Sequence, residues 1–298
     1  MKEPLRQIFA DRRLAYYYAQ KGLRSVGLRE RLGGAMAGWA RWRGGEPPQL
    51  NPLAERLAND LTQTGFAALP EKTLSAEAVA AVRAQLEPKP LLDYYDASIE
   101  YRWHSLPRHV LKMSYRKEDV AACRTLTDLA NDPDILAAVA ARLGAKPTLA
   151  SLESWWTLGE HNTEGVKAFD DIYHRDVDDL RFVKLFLYLT DTDLDSGAHR
   201  FVLGSHADAH YVKRGPISDE QVEQSYPDEC IKTITASAGT LFLEETWGIH
   251  RALLATRGRR LIFSAIYTVA AHLPNSPRRP MLPLPAGYDP YINRLLFR

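Results

Sequence analysis

Residues 173–190 read YHRDVDDLRFVKLFLYLT, and this stretch decides the fold that the sequence predicts. Its second part, Leu180–Thr190, is rich in Phe, Val, Leu and Tyr, as in a strand of a buried sheet. Its first part places His174 and Asp176 two residues apart. Side chains at positions i and i+2 of a strand point the same way, so a strand here brings both side chains together while Arg175 faces away.

Working outward, strand-like segments alternate with turn residues and long loops after residue 148. Several short strands of this kind favour an all-β sandwich or barrel over alternating βαβ units. Helical patterns come first, at Asn51–Gln63, Ser75–Glu87 and Asp132–Gly144, and one inserted helix opens at Ser218. The predicted fold is therefore mainly β with N-terminal helices: a double-stranded β-helix, or cupin-like jelly roll. Its predicted strands include 149–158, 180–190, 201–203, 231–235, 240–243 and 261–269.

The first 46 residues differ in charge from the rest of the chain. They carry ten Lys and Arg against four Asp and Glu, a net of +6, whereas the whole chain has a net charge of +1. Seven glycines predict a helix in pieces, and the run Gly44–Pro48 marks the boundary with a single domain over 47–298. We interpret 1–46 as a basic helical extension that packs its aromatic residues on the core. Weak contact with an anionic surface is the alternative.

Composition narrows the class of protein. The chain has 298 residues, of which 45% are hydrophobic and 25% charged, as in ordinary globular proteins. The small net charge argues against nucleic acid as a partner. Cys123 and Cys230 form no C-x-x-C pair, and neither an 18-residue apolar run nor a signal-peptide core is visible. We expect a soluble protein of the reducing cytoplasm.

The pattern His174-x-Asp176, followed far downstream by His250, predicts a metal site. Two imidazoles and one carboxylate occupy one face of an octahedral iron and leave the opposite face open. Arg260, ten residues past His250, offers a two-pronged partner for a dicarboxylate such as 2-oxoglutarate.

From about Asn51 to Thr268 the chain resembles the phytanoyl-CoA dioxygenase family of Fe(II)/2-oxoglutarate oxygenases. The matching blocks, in order, are Tyr173–Asp176 (first metal motif), Leu189–Gly197 with Phe201–His206 (strand-turn-strand), Gly239–Leu243 (strand before the second histidine) and Arg260 with Tyr267 (co-substrate arginine).

This resemblance implies the cofactors and their ligands. His174, Asp176 and His250 would bind Fe(II), Arg260 would bind the distal carboxylate of 2-oxoglutarate, and O2 would be the oxidant. Arg259 is the alternative to Arg260, but neighbouring strand residues face opposite sides, and the spacing to Tyr267 favours Arg260.

The co-substrate contacts depart from the family pattern at one position. The family often places a small hydroxyl residue two positions after the second histidine, where this chain has Ala252. Lys112 loosely matches the place of a family lysine that contacts 2-oxoglutarate. Lys184 is the alternative, because counting by twos from Asp176 puts it on the metal-facing side, although a bulge would turn it to solvent.

The resemblance also implies oxidation of a C–H bond coupled to decarboxylation of 2-oxoglutarate to succinate. Because Asp176 is a carboxylate, iron keeps no position for a halide, which favours hydroxylation, or a related desaturation or cyclisation. The alternative is a non-catalytic jelly-roll protein that binds metal or docks to a surface.

Polar and aromatic residues near the metal motif suggest a small polar metabolite or conjugated precursor as substrate. These candidate contacts are Trp155, Tyr173, Asp178, Arg200 and Trp247.

Overall fold

The protein is described from a computed structural model that covers residues 12–23, 25–212, 215–271 and 282–298. The first eleven residues of the predicted extension therefore lie outside the described residues. The strands form two antiparallel sheets, one of eight strands in the order β1-β9-β6-β11-β5-β4-β2-β3 and one of three in the order β10-β7-β8. The strands are β1 Phe66–Ala68, β2 Leu91–Asp93, β3 Glu100–Tyr101, β4 Lys112–Tyr115, β5 Thr148–Leu158, β6 Phe182–Tyr188, β7 His199–Val202, β8 Ile231–Ile234, β9 Leu241–Glu244, β10 His250–Ala252 and β11 Arg259–Thr268.

Most of the helices precede the sheet strands that hold the site. Asn51 and Ser75 cap the two helices that the sequence predicts there, each accepting a backbone N–H with its side chain. No helix among the described residues is both long and apolar enough to span a membrane. The helices are α1 Arg12–Lys21, α2 Val26–Gly44, α3 Pro52–Thr64, α4 Ala76–Leu86, α5 Lys117–Ala122, α6 Arg124–Ala130, α7 Pro133–Leu143, α8 Asp219–Ser225 and α9 Pro290–Asn293.

The central strands of the large sheet are buried on both faces. In β6, Val183, Leu185 and Leu187 belong to the main core, which also contains Leu57 and Leu61 of α3. The alternate residues face the other way, towards the small sheet, because strand side chains alternate. The space between the sheets is filled by a second cluster: Phe66, Phe186, Tyr188, Phe201, Ile234, Phe242 and Ile262.

This arrangement confirms the predicted jelly roll with N-terminal helices. The same alternation in β11 sends Leu261 and Phe263 into the main core and leaves Arg260, Ile262 and Ser264 on the inner face of the sheet. The sequence interpretation had no helix for α5, α6 or α9, and it did not include β2, β3, β4 or β10 among its strands.

The glycine-rich N-terminal segment is helical in a way that the sequence did not predict. Instead of a helix in pieces, α2 runs unbroken from Val26 to Gly44. Glycine is needed at Gly33 for close packing, since a Cβ there would lie 2.9 Å from Cγ of Arg181. Ala37 and Ala40 join the main core. The described part of the extension thus shares its hydrophobic core with the sheet through small residues. The prediction that it packs its aromatic residues on the core is wrong for Trp39 and Trp42, which are exposed.

Candidate metal centre and active site

Three side chains that the sequence singled out come together between the sheets. The ligand atoms of His174, Asp176 and His250 all lie within 4.8 Å of one another, a grouping that could hold a metal ion. Each histidine donates its backbone N–H to the carbonyl of the other at 3.0 Å. Tyr173 and His174 therefore form isolated bridges, and Asp176 donates its backbone N–H to the carbonyl of Thr246, instead of forming the regular strand that the sequence predicts.

The two histidines present the same nitrogen to this point. Nδ1 of His174 lies 2.8 Å from the carbonyl of Ile172, and Nδ1 of His250 lies 2.9 Å from the carbonyl of Gly248. A carbonyl only accepts, so both Nδ1 atoms carry the proton in the neutral rings, and both Nε2 atoms keep a lone pair. Such a bond also fixes the ring orientation of a metal-binding histidine. Nε2 of each ring lies within 3.6 Å of an Asp176 oxygen.

Lys184 lies on the inner face of β6, as the sequence suggested, but its partners are carboxylates. Its Nζ is 2.7 Å from Oδ2 of Asp176 and 2.8 Å from Oδ2 of Asp178. Burial acts to raise the pKa of Asp176, but Lys184 and His250 hold it well below its usual value. Counting by twos from Asp176 predicted the correct face for Lys184, but its premise was wrong, because residues 176–181 are not part of a strand.

Arg260 occupies a small cavity of about 120 Å³ that reaches His174 and His250. Its side chain is buried, whereas Arg259 is half exposed and pairs with Glu160 at 2.6 Å. Arg260 donates to the carbonyl of Gly197 and to Oγ1 of Thr157, and among the described residues it has no carboxylate partner. Burial lowers its pKa. A buried guanidinium without an anion is costly, so the cavity is suited to a carboxylate.

Lys112 and Trp155 also line this small cavity. Lys112 is buried and pairs with Asp170 and Asp171 at 3.3 and 3.2 Å. Both lysines that the sequence put forward thus face the same space, and both already have acidic partners. The cavity is polar on one side and aromatic on the other, with Tyr94 and Trp155 in contact at 6.1 Å between ring centroids.

Ser264 is a site residue that the sequence interpretation missed. It lines the same cavity, is buried, and its hydroxyl has no hydrogen-bond partner among the described residues. It lies four residues after Arg260 on β11, so the two side chains share a face of the strand. Ala252 also lines the cavity. The sequence did contain a signal for Ser264. The strand alternation that places Arg260 on the inner face of the sheet also places Ser264 there.

His199 and Glu244 form a buried acid–base pair next to His250. Nε2 of His199 is 2.9 Å from Oε2 of Glu244, and the His199 ring stacks on His250 at 5.5 Å between centroids. Burial raises the pKa of Glu244 to about 8 and lowers the pKa of His199 to about 3. Both groups are therefore neutral near pH 7, and the sequence offered no sign of their pairing across two sheets.

A larger cavity of about 350 Å³ is also lined by metal-site residues. His174 and Asp176 line both cavities. Asp178 and Trp247, two of the substrate contacts that the sequence proposes, line the larger one. The indole N–H of Trp247 has no hydrogen-bond partner among the described residues. Helix α1 contributes Tyr17 and Lys21, two lining residues that the sequence did not single out.

Two expected substrate contacts lie elsewhere. Tyr173 is buried in a cluster with Val202 and Ile249, and Arg200 donates to Oγ1 of Thr233 at 2.8 Å. Neither lines the small or the large cavity. The reason is alternation: His199 of β7 faces the cavity, so its neighbour Arg200 faces the opposite side of the small sheet. Proximity in sequence to the metal motif was a poor guide for both residues.

Arg175 lines the large cavity beside His174 and Asp176, but its guanidinium is engaged by neighbouring carbonyls. It donates to the carbonyls of Ser205 and Trp247, both at 2.8 Å. Arg29 of α2 stacks on the Trp247 ring, with its guanidinium carbon 3.9 Å from the ring centroid. These contacts hold Trp247 in the wall of the large cavity and tie the N-terminal helices to it.

Comparisons with known proteins agree with this geometry. The family model described as Phytanoyl-CoA dioxygenase (PhyH) matches residues 61–260. The non-haem alpha ketoglutarate dependent epimerase SnoN from nogalamycin biosynthesis is 23% identical, with 72% of this chain and 82% of that chain covered and a TM-score of 0.53. The carbocyclase SnoK from the same biosynthesis is 18% identical, with 75% and 87% covered and a TM-score of 0.52.

SnoN has also been solved in complex with Fe3+, alpha ketoglutarate and nogalamycin RO, with 21% identity, 72% and 82% covered and a TM-score of 0.50. At these identities the likeness shows a shared fold. No curated protein matches the chain in the corresponding sequence comparison. The family model, in contrast, spans more than half of the chain and contains the metal motif, the second histidine and Arg260. The chain therefore belongs to the phytanoyl-CoA dioxygenase family.

Proposed function

We propose that this protein is an Fe(II)/2-oxoglutarate-dependent oxygenase that hydroxylates a C–H bond of a small polar metabolite or conjugated precursor. One observation carries the proposal: a two-histidine, one-carboxylate group lies beside a buried arginine with no carboxylate partner among the described residues. The first feature suits a divalent iron with open positions, and the second suits a dicarboxylate co-substrate.

The donor set fits iron. Two imidazole nitrogens and one carboxylate oxygen point to a common centre, and the Nδ1 bonds to Ile172 and Gly248 leave both Nε2 atoms available. Oδ2 of Asp176 accepts from Lys184 at 2.7 Å, which orients the carboxylate and leaves it lone pairs for a metal. We therefore assign His174, Asp176 and His250 as metal ligands, and Lys184 as the residue that positions Asp176.

The small cavity fits 2-oxoglutarate. Arg260 would pair with its distal carboxylate, and the unpartnered hydroxyl of Ser264 would donate a further hydrogen bond in place of the one lost at Ala252. Lys112 also lines this cavity, but its ammonium group pairs with Asp170 and Asp171, so Arg260 is the stronger candidate for the co-substrate carboxylate. The missing hydroxyl at Ala252 favours the non-catalytic alternative, and a hydrogen bond from Ser264 would compensate for it.

When bound, iron with 2-oxoglutarate and O2 supplies the oxidant for the C–H bond, with succinate and CO2 as the products of the co-substrate. The chain's own residues orient and enclose these groups. His174 and Asp176 line both cavities, so a substrate in the larger cavity would lie next to the metal site. Phe169 contacts the His174 ring at 4.9 Å between centroids and lines the larger cavity beside it.

The larger cavity favours a polar substrate. Lys21 has no ion-pair partner among the described residues and packs on Tyr17, with its Nζ 4.1 Å from the ring centroid. The Trp247 ring adds an aromatic surface to the same cavity wall. Together with Asp178 they suit a hydroxylated or anionic metabolite better than a bare hydrocarbon chain.

Cys123 and Cys230 are free thiols, which supports a reducing cytoplasm as the proposed location.

The test is formation of succinate from 2-oxoglutarate by the purified protein with Fe(II) under air. We expect turnover in wild type, loss of turnover in His174→Ala, and wild-type turnover in His104→Ala, an exposed histidine outside both cavities. If substrate-free turnover is too slow, anaerobic titration with Fe(II) and 2-oxoglutarate replaces it. A charge-transfer band that His174→Ala lacks would support the proposal, and its absence in wild type would refute it.

Product analysis then separates hydroxylation from related outcomes. SnoN and SnoK are described as an epimerase and a carbocyclase, so a shared fold is compatible with several fates of an oxidised C–H bond. Screening polar metabolites for stimulated succinate formation identifies the substrate. A mass gain of one oxygen in the product supports hydroxylation, whereas an unchanged mass or the loss of two hydrogens refutes that part.

A further inference from the structure

One face of α2 carries large apolar side chains that the described residues leave uncovered. Leu28, Leu32, Trp39 and Trp42 are 45%, 42%, 57% and 81% exposed. They follow one another at spacings of four, seven and three residues, so with Ala35 they share one side of the helix. We call these five residues the tryptophan stripe. A contiguous exposed apolar patch of this kind marks an interaction surface more often than chance exposure does.

The opposite face of α2 fixes the direction in which the stripe points. Arg29 is buried against Trp247 and donates to the carbonyl of Asp179. Gly33 packs on the side chain of Arg181, and Ala37 lies in the main core. The helix therefore has little freedom to rotate the stripe inward, and its exposure is a property of the fold.

Positive charge flanks the stripe. Arg31 and Arg43 are exposed and lie about 60° to either side of its centre on an ideal helix. Glu30 points elsewhere and pairs with Arg181 at 2.7 Å. The guanidinium of Arg43 also lies 5.1 Å from the Trp39 ring centroid. The solvent side of α2 is therefore aromatic in the middle and cationic at both borders.

We propose that the tryptophan stripe docks this protein on an anionic membrane surface. Tryptophan rings are suited to the boundary between headgroups and acyl chains, and arginines beside them pair with lipid phosphates. Residues 1–46, with their net charge of +6, add to the attraction. A second copy of the chain is a poorer occupant, because two stripes face to face would bring the arginines of both copies together. The proposal is independent of the metal site.

The test is sedimentation of the full chain with vesicles of phosphatidylcholine alone or mixed with phosphatidylglycerol. We expect binding to the anionic vesicles only, weakened by salt. Trp39→Ala/Trp42→Ala should reduce the partition coefficient at least about tenfold, and Arg31→Ala/Arg43→Ala about thirtyfold, from roughly 1 kcal/mol per arginine. The matched control is Leu194→Ala, because Leu194 is an apolar residue that is 58% exposed in a turn away from α2.

Folding of each variant is checked by its thermal transition, which should not change because the replaced side chains are exposed. Equal binding of wild type and the tryptophan variant would overturn the proposal, as would an equal loss in Leu194→Ala. A third overturning result is a concentration-dependent dimer that the tryptophan variant abolishes, with no vesicle binding by wild type. That outcome would assign the stripe to a second copy. Succinate formation is measured in parallel, so failure of docking is distinguishable from failure of the proposed catalysis.

Discussion

Replacing Arg260 by alanine tests the co-substrate site most directly. The guanidinium is buried in the small cavity and its only described partners are the carbonyl of Gly197 and Oγ1 of Thr157. We expect Arg260→Ala to lose most of its affinity for 2-oxoglutarate. The neighbouring Arg259→Ala should keep it, because that side chain is half exposed and pairs with Glu160.

The magnitude follows from the burial of the pair. Removing one member of a buried, hydrogen-bonded charge pair costs about 2–5 kcal/mol, and a value of about 3 kcal/mol corresponds to roughly a hundredfold in Kd. The contact would be made before and during the reaction alike, so the change should appear in KM for 2-oxoglutarate more than in kcat. Calorimetric titration under anaerobic conditions with Mn(II) in place of iron measures Kd without turnover.

The free energy of unfolding of Arg260→Ala, measured without and with 2-oxoglutarate, is a second test of the role of Arg260. Arg260→Ala loses two hydrogen bonds worth about 1 kcal/mol each, but it also removes an unpaired buried charge. We therefore expect the free energy of unfolding of the ligand-free variant to stay within about 1 kcal/mol of wild type. At 2-oxoglutarate concentrations 100 times the wild-type Kd, wild type should gain about 2.7 kcal/mol and the variant less than about 0.5.

Two results would refute this reasoning. The first is wild-type affinity in Arg260→Ala, and the second is a larger loss in Arg259→Ala. Either would mean that Arg260 is not the residue that pairs with the co-substrate. A variant that unfolds without ligand would show instead that the guanidinium is structural.

Three further predictions concern neighbours of the metal site. Lys184→Met should weaken Mn(II) binding about 10- to 100-fold by freeing Asp176, whereas an unchanged titration would show that Lys184 does not position it. Ser264→Ala should raise the Kd for 2-oxoglutarate about fivefold, the worth of one hydrogen bond of about 1 kcal/mol, and an unchanged Kd would remove Ser264 from the site. Because burial raises the pKa of Glu244 from 4.5 to about 8, the stability it contributes in the metal-free protein is present below about pH 4.5 and lost as pH rises through 8. The lowered pKa of His199 has the opposite effect on stability, but only below about pH 6.5. Between pH 6.5 and 8 we therefore expect the free energy of unfolding of wild type, measured with urea, to fall by about 2 kcal/mol, and that of Glu244→Gln to fall much less. Parallel curves for the two proteins would contradict this.

The contacts of the N-terminal helices change how the extension should be studied. Deleting residues 1–46 would remove Arg29 from Trp247 and Tyr17 and Lys21 from the large cavity, along with the proposed docking face. Loss of activity after such a truncation would therefore not distinguish docking from catalysis. Point substitutions on the exposed face of α2 make that distinction.

Much of the fold was readable from the sequence because its signals are local. Asn51 and Ser75 begin helices where a side-chain oxygen caps the first turn, and the apolar run at Leu180–Thr190 is the buried strand β6. Local signals failed in α2, where glycines predicted interruptions. Packing on Arg181 and the main core outweighs the low helix propensity of glycine there.

By itself the sequence determined the family, the jelly roll, the candidate metal-binding residues and the choice of Arg260 over Arg259, since each depends on motif order or on the period of two along a strand. Only the tertiary structure decided which residues from distant strands and helices share a cavity. It placed Ser264, Lys21 and the Glu244–His199 pair near the metal site and removed Tyr173 and Arg200. The physical reason is that sheet pairing and helix packing set these distances, and neither is encoded by separation along the chain.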